Sequence, residues 1–184
     1  MVYAAARVDG YVHRRLALGE FAAASGPTRG GEVDTSLWSE GRIQGYEESL
    51  EADVGRIVAI LRIPKIGLEV PVFEGTDEIT LNRGLGRIAG SARPGEGGNL
   101  GLAGHRDGFF RGLKDLAVGN PLELETLEGT EFYRVSEIKI VLPGSVEVLD
   151  PRPEPTVTLV TCYPFYFVGK APKRYVVHAS PARP

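Results

Sequence analysis

The sequence predicts a mainly β fold: a barrel of seven or eight strands, with short helices, behind a helical N-terminal arm. Three observations carry this. From about Gly55 onward, short apolar runs rich in β-branched residues alternate with Gly and Pro, the pattern of an all-β sandwich or barrel. Those runs follow one another too closely to leave room for long helices. The chain of 184 residues also suits one domain with a substantial core rather than two large ones.

Taken in order, residues 2–24 carry Val12, Leu16 and Leu18 among Arg7, Arg14, Arg15 and Glu20, with many alanines and no proline. They read as a moderately amphipathic helix. Ser25-Gly26-Pro27 stops it, and 25–33 reads as a linker. A second short helix is expected next, capped by Asp34, Thr35 or Ser36 and burying Trp38, Tyr46 and Leu50, although Gly41 and Gly45 argue against it. The boundary between arm and barrel is set at 54/55, giving an arm of 1–54 and a barrel of 55–184. Strands are predicted at 57–63, 68–73, 99–103, 121–126, 131–142, 156–162 and 174–179, with a helical turn or two at 76–81 and 109–116.

Lys and Arg number 21 against 24 Asp and Glu, a net charge of −3, which argues against a nucleic-acid-coating surface. Hydrophobic residues at 42% and charged residues at 24% fit a folded soluble domain. No stretch reaches the roughly 20 apolar residues needed to span a bilayer, and the N-terminus lacks a signal peptide's apolar run. There is one cysteine, Cys162, so neither an internal disulfide nor a cysteine metal cluster can form. No other metal-ligand constellation stands out, and no cofactor is expected.

A solitary thiol is either core filler or the centre of the chemistry. A cysteine nucleophile needs an imidazole partner, and the chain offers His13, His105 and His178. His13 sits among charged residues in the N-terminal helix and reads as a solvated surface group. His178 lies in the last strand, sharing a face with Arg174 and Val176, and reads as a plain strand histidine. His105 ends the small-residue run Gly101-Leu-Ala-Gly104, at a strand end where active-site groups usually sit. Cys162 closes an apolar strand in which Thr158, Val160 and Cys162 share one face, and Tyr163-Pro164 leaves its thiol beside a loop. Arg174, after the loop 163–173, can return to the level of Cys162, where a guanidinium favours a thiolate and an oxyanion. Lys170 and Lys173 nearby keep a solvated surface arginine open as the alternative.

Together, Asn99-Leu-Gly-Leu-Ala-Gly-His105-Arg-Asp, Thr158-Leu-Val-Thr-Cys162 and Lys173-Arg174-Tyr-Val-Val resemble the signatures of the sortases. The resemblance runs from about Ile57 to Ala179 and includes Leu61-Arg-Ile-Pro-Lys-Ile-Gly-Leu. Gly104-His-Arg-Asp-Gly-Phe-Phe-Arg and the stretch from Thr161 to Arg174 are most similar to class D sortases. This implies an eight-stranded barrel and a cysteine transpeptidase. Such an enzyme cuts a C-terminal sorting signal, commonly Leu-Pro-Xaa-Thr-Gly, between Thr and Gly and joins the new carboxyl end to an amine. On that pattern Cys162 is the nucleophile and His105 the general acid and base. Arg174 serves the oxyanion or the peptide, with Thr161 and Asp107 as lesser supports. The implied partners are a sorting-signal peptide of a secreted protein and a cell-wall or pilin-type amine, with no nucleic acid. Membrane attachment would come only through an N-terminal anchor, expected to precede the arm and missing from these 184 residues. The arm resembles the segment just after it, which places the domain outside a cytoplasmic membrane, where a lone thiol has no partner to trap it.

Other readings remain. L,D-transpeptidases also combine Cys, His and Arg on a β-rich scaffold, but their usual histidine and glycine before the cysteine are replaced here by Val160-Thr161. A peptidase that ends on water would form the same thioester. A non-catalytic peptide-binding barrel would bury Cys162 as filler.

Overall fold

The computed structural model describes residues 33–166 and 169–182. The predicted helix 2–24, nearly all of the linker, and His13 lie outside them. Eight strands close into one barrel in the order β1-β2-β3-β4-β7-β8-β6-β5. They are β1 (Ile57–Ile63), β2 (Leu68–Glu74), β3 (Leu85–Arg87), β4 (Asn99–Ala103), β5 (Pro121–Thr126), β6 (Gly129–Val141), β7 (Thr156–Tyr163) and β8 (Lys173–Pro181). Two pairings are parallel, β2 with β3 and β4 with β7.

Seven of the eight strands coincide with the expected runs. The addition is β3, three residues long with glycine in the middle, which carries too few apolar side chains to read as a strand. Its pairing is imposed by Val72, Phe73 and Glu74 alongside.

The core follows the period of two. Leu61, Ile63, Val70, Val72, Leu102, Leu122, Leu124, Leu159 and Val177 are all fully buried inside the barrel. Leu100 and Leu102 of β4, Val157 and Leu159 of β7, and Tyr175, Val177 and Ala179 of β8 belong to this core. The alternate set, Gly101 and Ala103, Val160 and Cys162, Arg174 and His178, therefore faces outward. That outer face is not bare. The connection from β6 to β7, with its 3-10 turn Val146–Leu149, lies over it, and Asn99 Nδ2 donates to Val148 O (3.1 Å) and Asp150 O (3.0 Å).

Two short helices flank the barrel, α1 (Glu40–Ser49) and α2 (Glu78–Arg83). The residue that caps α1 is Ser39, whose side chain accepts from Arg42 N, rather than Asp34, Thr35 or Ser36. Asp34 instead closes a local turn onto Ser36 N. Leu50, expected to be buried, is 44% exposed. The docking is aromatic: Trp38, just before α1, and Tyr46 meet Phe109 edge-on, with ring centroids 4.9 and 6.0 Å away. Gly45 weakens a helix in isolation but serves this one, because a Cβ there would lie 2.9 Å from Asn82 of α2.

Candidate active site

Strand register brings the three predicted residues to one end of the barrel. In the β7–β8 hairpin Cys162 stands directly opposite Arg174. In the parallel pair β4–β7, Ala103 stands beside Val160, and the ladder continues one step as Gly104 N donates to Val160 O (3.3 Å). His105 and Cys162 are each two residues further on, so they leave neighbouring strands at the same level. Outward-facing alternation puts Ala103, Val160, Cys162 and Arg174 on the same side of the sheet.

Thr161 points the other way and is buried, and its hydroxyl donates to Gly104 O (2.7 Å). It thereby ties the residue before Cys162 to the residue before His105. Gly104 has to be glycine for space: a Cβ would lie 2.7 Å from Leu85 Cδ2 and 2.8 Å from Phe110 Cδ2. His105 O then accepts from Gly108 N and Phe110 N (both 3.2 Å), which turns the chain into the 3-10 segment Phe109–Asp115.

His105 faces α1 and α2. Its Nε2 lies 3.4 Å from Glu78 Oε1 without hydrogen-bond alignment and is itself out of contact with solvent. Burial lowers its pKa below the usual histidine value, the Arg42 guanidinium lowers it further, and Glu78 and Asp107 pull the other way. In the free protein at neutral pH the imidazole is therefore mainly neutral. Asp107, expected to orient His105, has Arg42 as its hydrogen-bond partner: Arg42 Nε donates to its Oδ1 at 3.3 Å.

The segment after Cys162 is held from both sides. Inward-facing Tyr163 stacks on Tyr175 at 6.1 Å, Phe165 packs edge-on to Tyr175 at 5.1 Å, and the Tyr163–Pro164 bond is cis. From the His105 side, Arg106 donates to Pro164 O and Gly169 O (3.1 Å each) and Arg111 to Phe165 O (2.8 Å). The Arg111 guanidinium also lies 4.2 Å from the centre of the Tyr166 ring. Arg174 donates to Lys173 O (3.0 Å) and Ala171 O (3.4 Å), so its guanidinium is held near its own strand end.

His178 is set apart from this group. It pairs across the hairpin with Thr158, four residues below Cys162. Asn99 spends both amide protons on carbonyls, so its Oδ1 accepts from Thr158 (2.6 Å). Having donated there, the Thr158 hydroxyl must accept from His178 Nδ1 (2.9 Å), leaving Nε2 to accept from Arg152 (3.3 Å). The network fixes a neutral, Nδ1-protonated ring, in keeping with a pKa pushed down to about 4 by burial and by Arg152.

Reading residue types alone missed Arg42, Glu78 and Asn82, which meet only through tertiary packing. Arg106 and Arg111 lay inside the quoted motif, but nothing in their spacing signalled that they reach the other loop.

A family model described as the sortase domain matches residues 61–182. Sortase D of Bacillus subtilis (strain 168) is 39% identical over 131 residues, covering 71% of this chain and 66% of that protein. Sortase SrtE1 of Streptomyces coelicolor is 36% identical over 129 residues, covering 60% of this chain and 37% of its relative. The chain thus spans just under two thirds of the first relative and little over a third of the second. The solved structure of a Clostridium perfringens Sortase D5 transpeptidase aligns at TM-score 0.66 and 28% identity, over 92% of this chain and 98% of that one.

Proposed function

Because the chain belongs to the sortase family, we propose that it is a cysteine transpeptidase acting on a Leu-Pro-Xaa-Thr-Gly-like sorting signal. The observation that carries the reading is the shared register: Cys162 opposite Arg174 on β8, and His105 leaving β4 at the level of Cys162. A thiol, an imidazole and a guanidinium carried at neighbouring strand ends are the set that acyl transfer through a thioester requires, which supports this reading.

In the proposed reaction the neutral imidazole of His105 takes the thiol proton, and the Cys162 thiolate attacks the Thr carbonyl carbon. The resulting oxyanion is stabilised by Arg174. The tetrahedral intermediate collapses as the C–N bond breaks, and the imidazolium gives its proton to the departing glycine amine. An incoming amine attacks the thioester, His105 removes its proton, and the thiolate leaves. The peptide comes from a secreted protein and the amine from cell wall or pilin. The barrel works on the outer side of a cytoplasmic membrane, held by an N-terminal anchor. Among the described residues no helix is long and apolar enough to cross one.

The test is incubation with a Leu-Pro-Xaa-Thr-Gly peptide with and without an added amine, read by mass spectrometry. The expected products are the amine ligation product and a thioester on Cys162. Cys162→Ala should abolish both, and His105→Ala and Arg174→Ala should each lower turnover by about 10²-fold or more, all with unchanged circular dichroism. Cleavage by Cys162→Ala would overturn the mechanism. Release of the free acid at the same rate with and without amine would instead make the protein a peptidase.

A further inference from the structure

Helix α1 lies outside residues 61–182, which match the family, yet one of its side chains reaches the candidate site. Arg42 is only 16% exposed, and its guanidinium is the hub of a charge cluster beside His105. Its Nη1 lies 3.3 Å from Glu78 Oε1 and bonds Asn82 Oδ1, while its Nε lies 3.3 Å from Asp107 Oδ1. The same Glu78 oxygen lies 3.4 Å from His105 Nε2. One carboxylate oxygen therefore faces two nitrogen groups, one permanently charged and one titratable.

Resting on the transpeptidase reading of His105, we propose that Arg42 is a positioning residue for that histidine. Its guanidinium gathers Glu78, Asn82 and Asp107 around the imidazole and competes with it for the Glu78 carboxylate.

The consequence depends on the state of the ring. When His105 is neutral, Glu78 is held by Arg42 and Nε2 is left without a hydrogen-bond partner. When His105 is protonated, Glu78 can pair with it, but the guanidinium repels the new charge. Arg42 and burial thus both disfavour the imidazolium, whereas Glu78 from α2 and Asp107 from the histidine's own loop favour it. From the barrel side the group at the same level is Cys162, with Arg174 opposite it. A proton accepted from the thiol is held less tightly for Arg42's presence, and so is more readily given to the leaving amine. Since Trp38 and Tyr46 hold α1 down on Phe109, docking of α1 adjusts the acid–base group.

The proposal is tested on the full chain without substrate, by NMR titration of the His105 imidazole in a Cys162→Ala background, so the result stands whether or not the protein cleaves peptides. Arg42→Gln should raise the titration midpoint by about 0.5–1 pH unit, and Arg42→Lys, which restores the charge, should bring it back toward the starting value. Glu78→Gln, at a position 69% exposed on its side chain and tolerant of change, should lower it. In the enzyme with Cys162 intact, the pH profile of kcat/KM should shift in the same direction as the midpoint. A midpoint that does not rise in folded Arg42→Gln overturns the proposal. If Arg42→Gln fails to fold, a midpoint that does not fall in Glu78→Gln overturns it equally.

Discussion

At the scale of single residues, the proposed site rests on side chains beyond Cys162, His105 and Arg174 themselves. Thr161 holds β7 to β4 where the two strands end, and it is a methyl-for-hydroxyl swap away from losing that tie. Thr161→Val should keep the packing, cost about 1–2 kcal/mol in urea unfolding, and lower turnover further by letting His105 and Cys162 drift apart. Wild-type turnover in this variant would show the tie to be irrelevant to the chemistry. Cys162, His105 and Arg174 can be singled out in the sequence because each is scarce or sits at a strand end, and strand register brings those ends to one level. The tie from Thr161 to Gly104 O could not be read from the sequence, since the two lie 57 positions apart. Asp107 illustrates the opposite case. Its nearness in sequence to His105 suggested a partnership, but an arginine from another element holds it instead.

Among the elements, strands were easier to read than the contacts between them. Period-two alternation marks a half-buried strand whatever its neighbour, so seven strands were found and only the three-residue β3 escaped. Helix α1 is expected on weak local grounds, and its start falls later than expected because Asp34, Thr35, Ser36 and Ser39 all offer capping side chains within six positions. The loops behave as paired elements: Arg106 and Arg111, from the loop after β4, bind carbonyls of the loop after β7. Removing one clamp should loosen the other loop. In Arg111→Ala, amide exchange at Phe165 and Tyr166 is expected to quicken by about tenfold, the equivalent of one lost hydrogen bond, with KM rising more than kcat falls. Exchange unchanged from wild type would mean that the aromatic packing of Phe165 on Tyr175 suffices by itself.

Across the whole molecule, the buried polar chain from Asn99 through Thr158 and His178 to Arg152 ties three strands and the β6–β7 connection together. The fold holds His178 neutral, with a pKa near 4, whereas in the unfolded chain it titrates near 6.5. Between those values the unfolded state binds a proton that the native state refuses. Stability is thus fully present above about pH 6.5 and falls as the pH drops toward 4, by at most about 3 kcal/mol from this group. Urea unfolding at pH 7.5, 6 and 4.5 should show this slope, and it should flatten in His178→Gln. An equal slope in both proteins would assign the acid sensitivity elsewhere. The barrel also divides its chemistry unevenly along the chain. Residues 156–181 form a single hairpin that carries both the proposed nucleophile Cys162 and the guanidinium of Arg174, while the imidazole of His105 belongs to the part before it. Because β8 lies between β6 and β7, the ring closes only when that hairpin inserts. A break in the exposed β6–β7 connection would leave two fragments, neither with a complete catalytic set, whose reassociation would restore one. The barrel is thus a natural template for a two-piece protein in which the proposed peptide-joining activity would report on whether its halves have met.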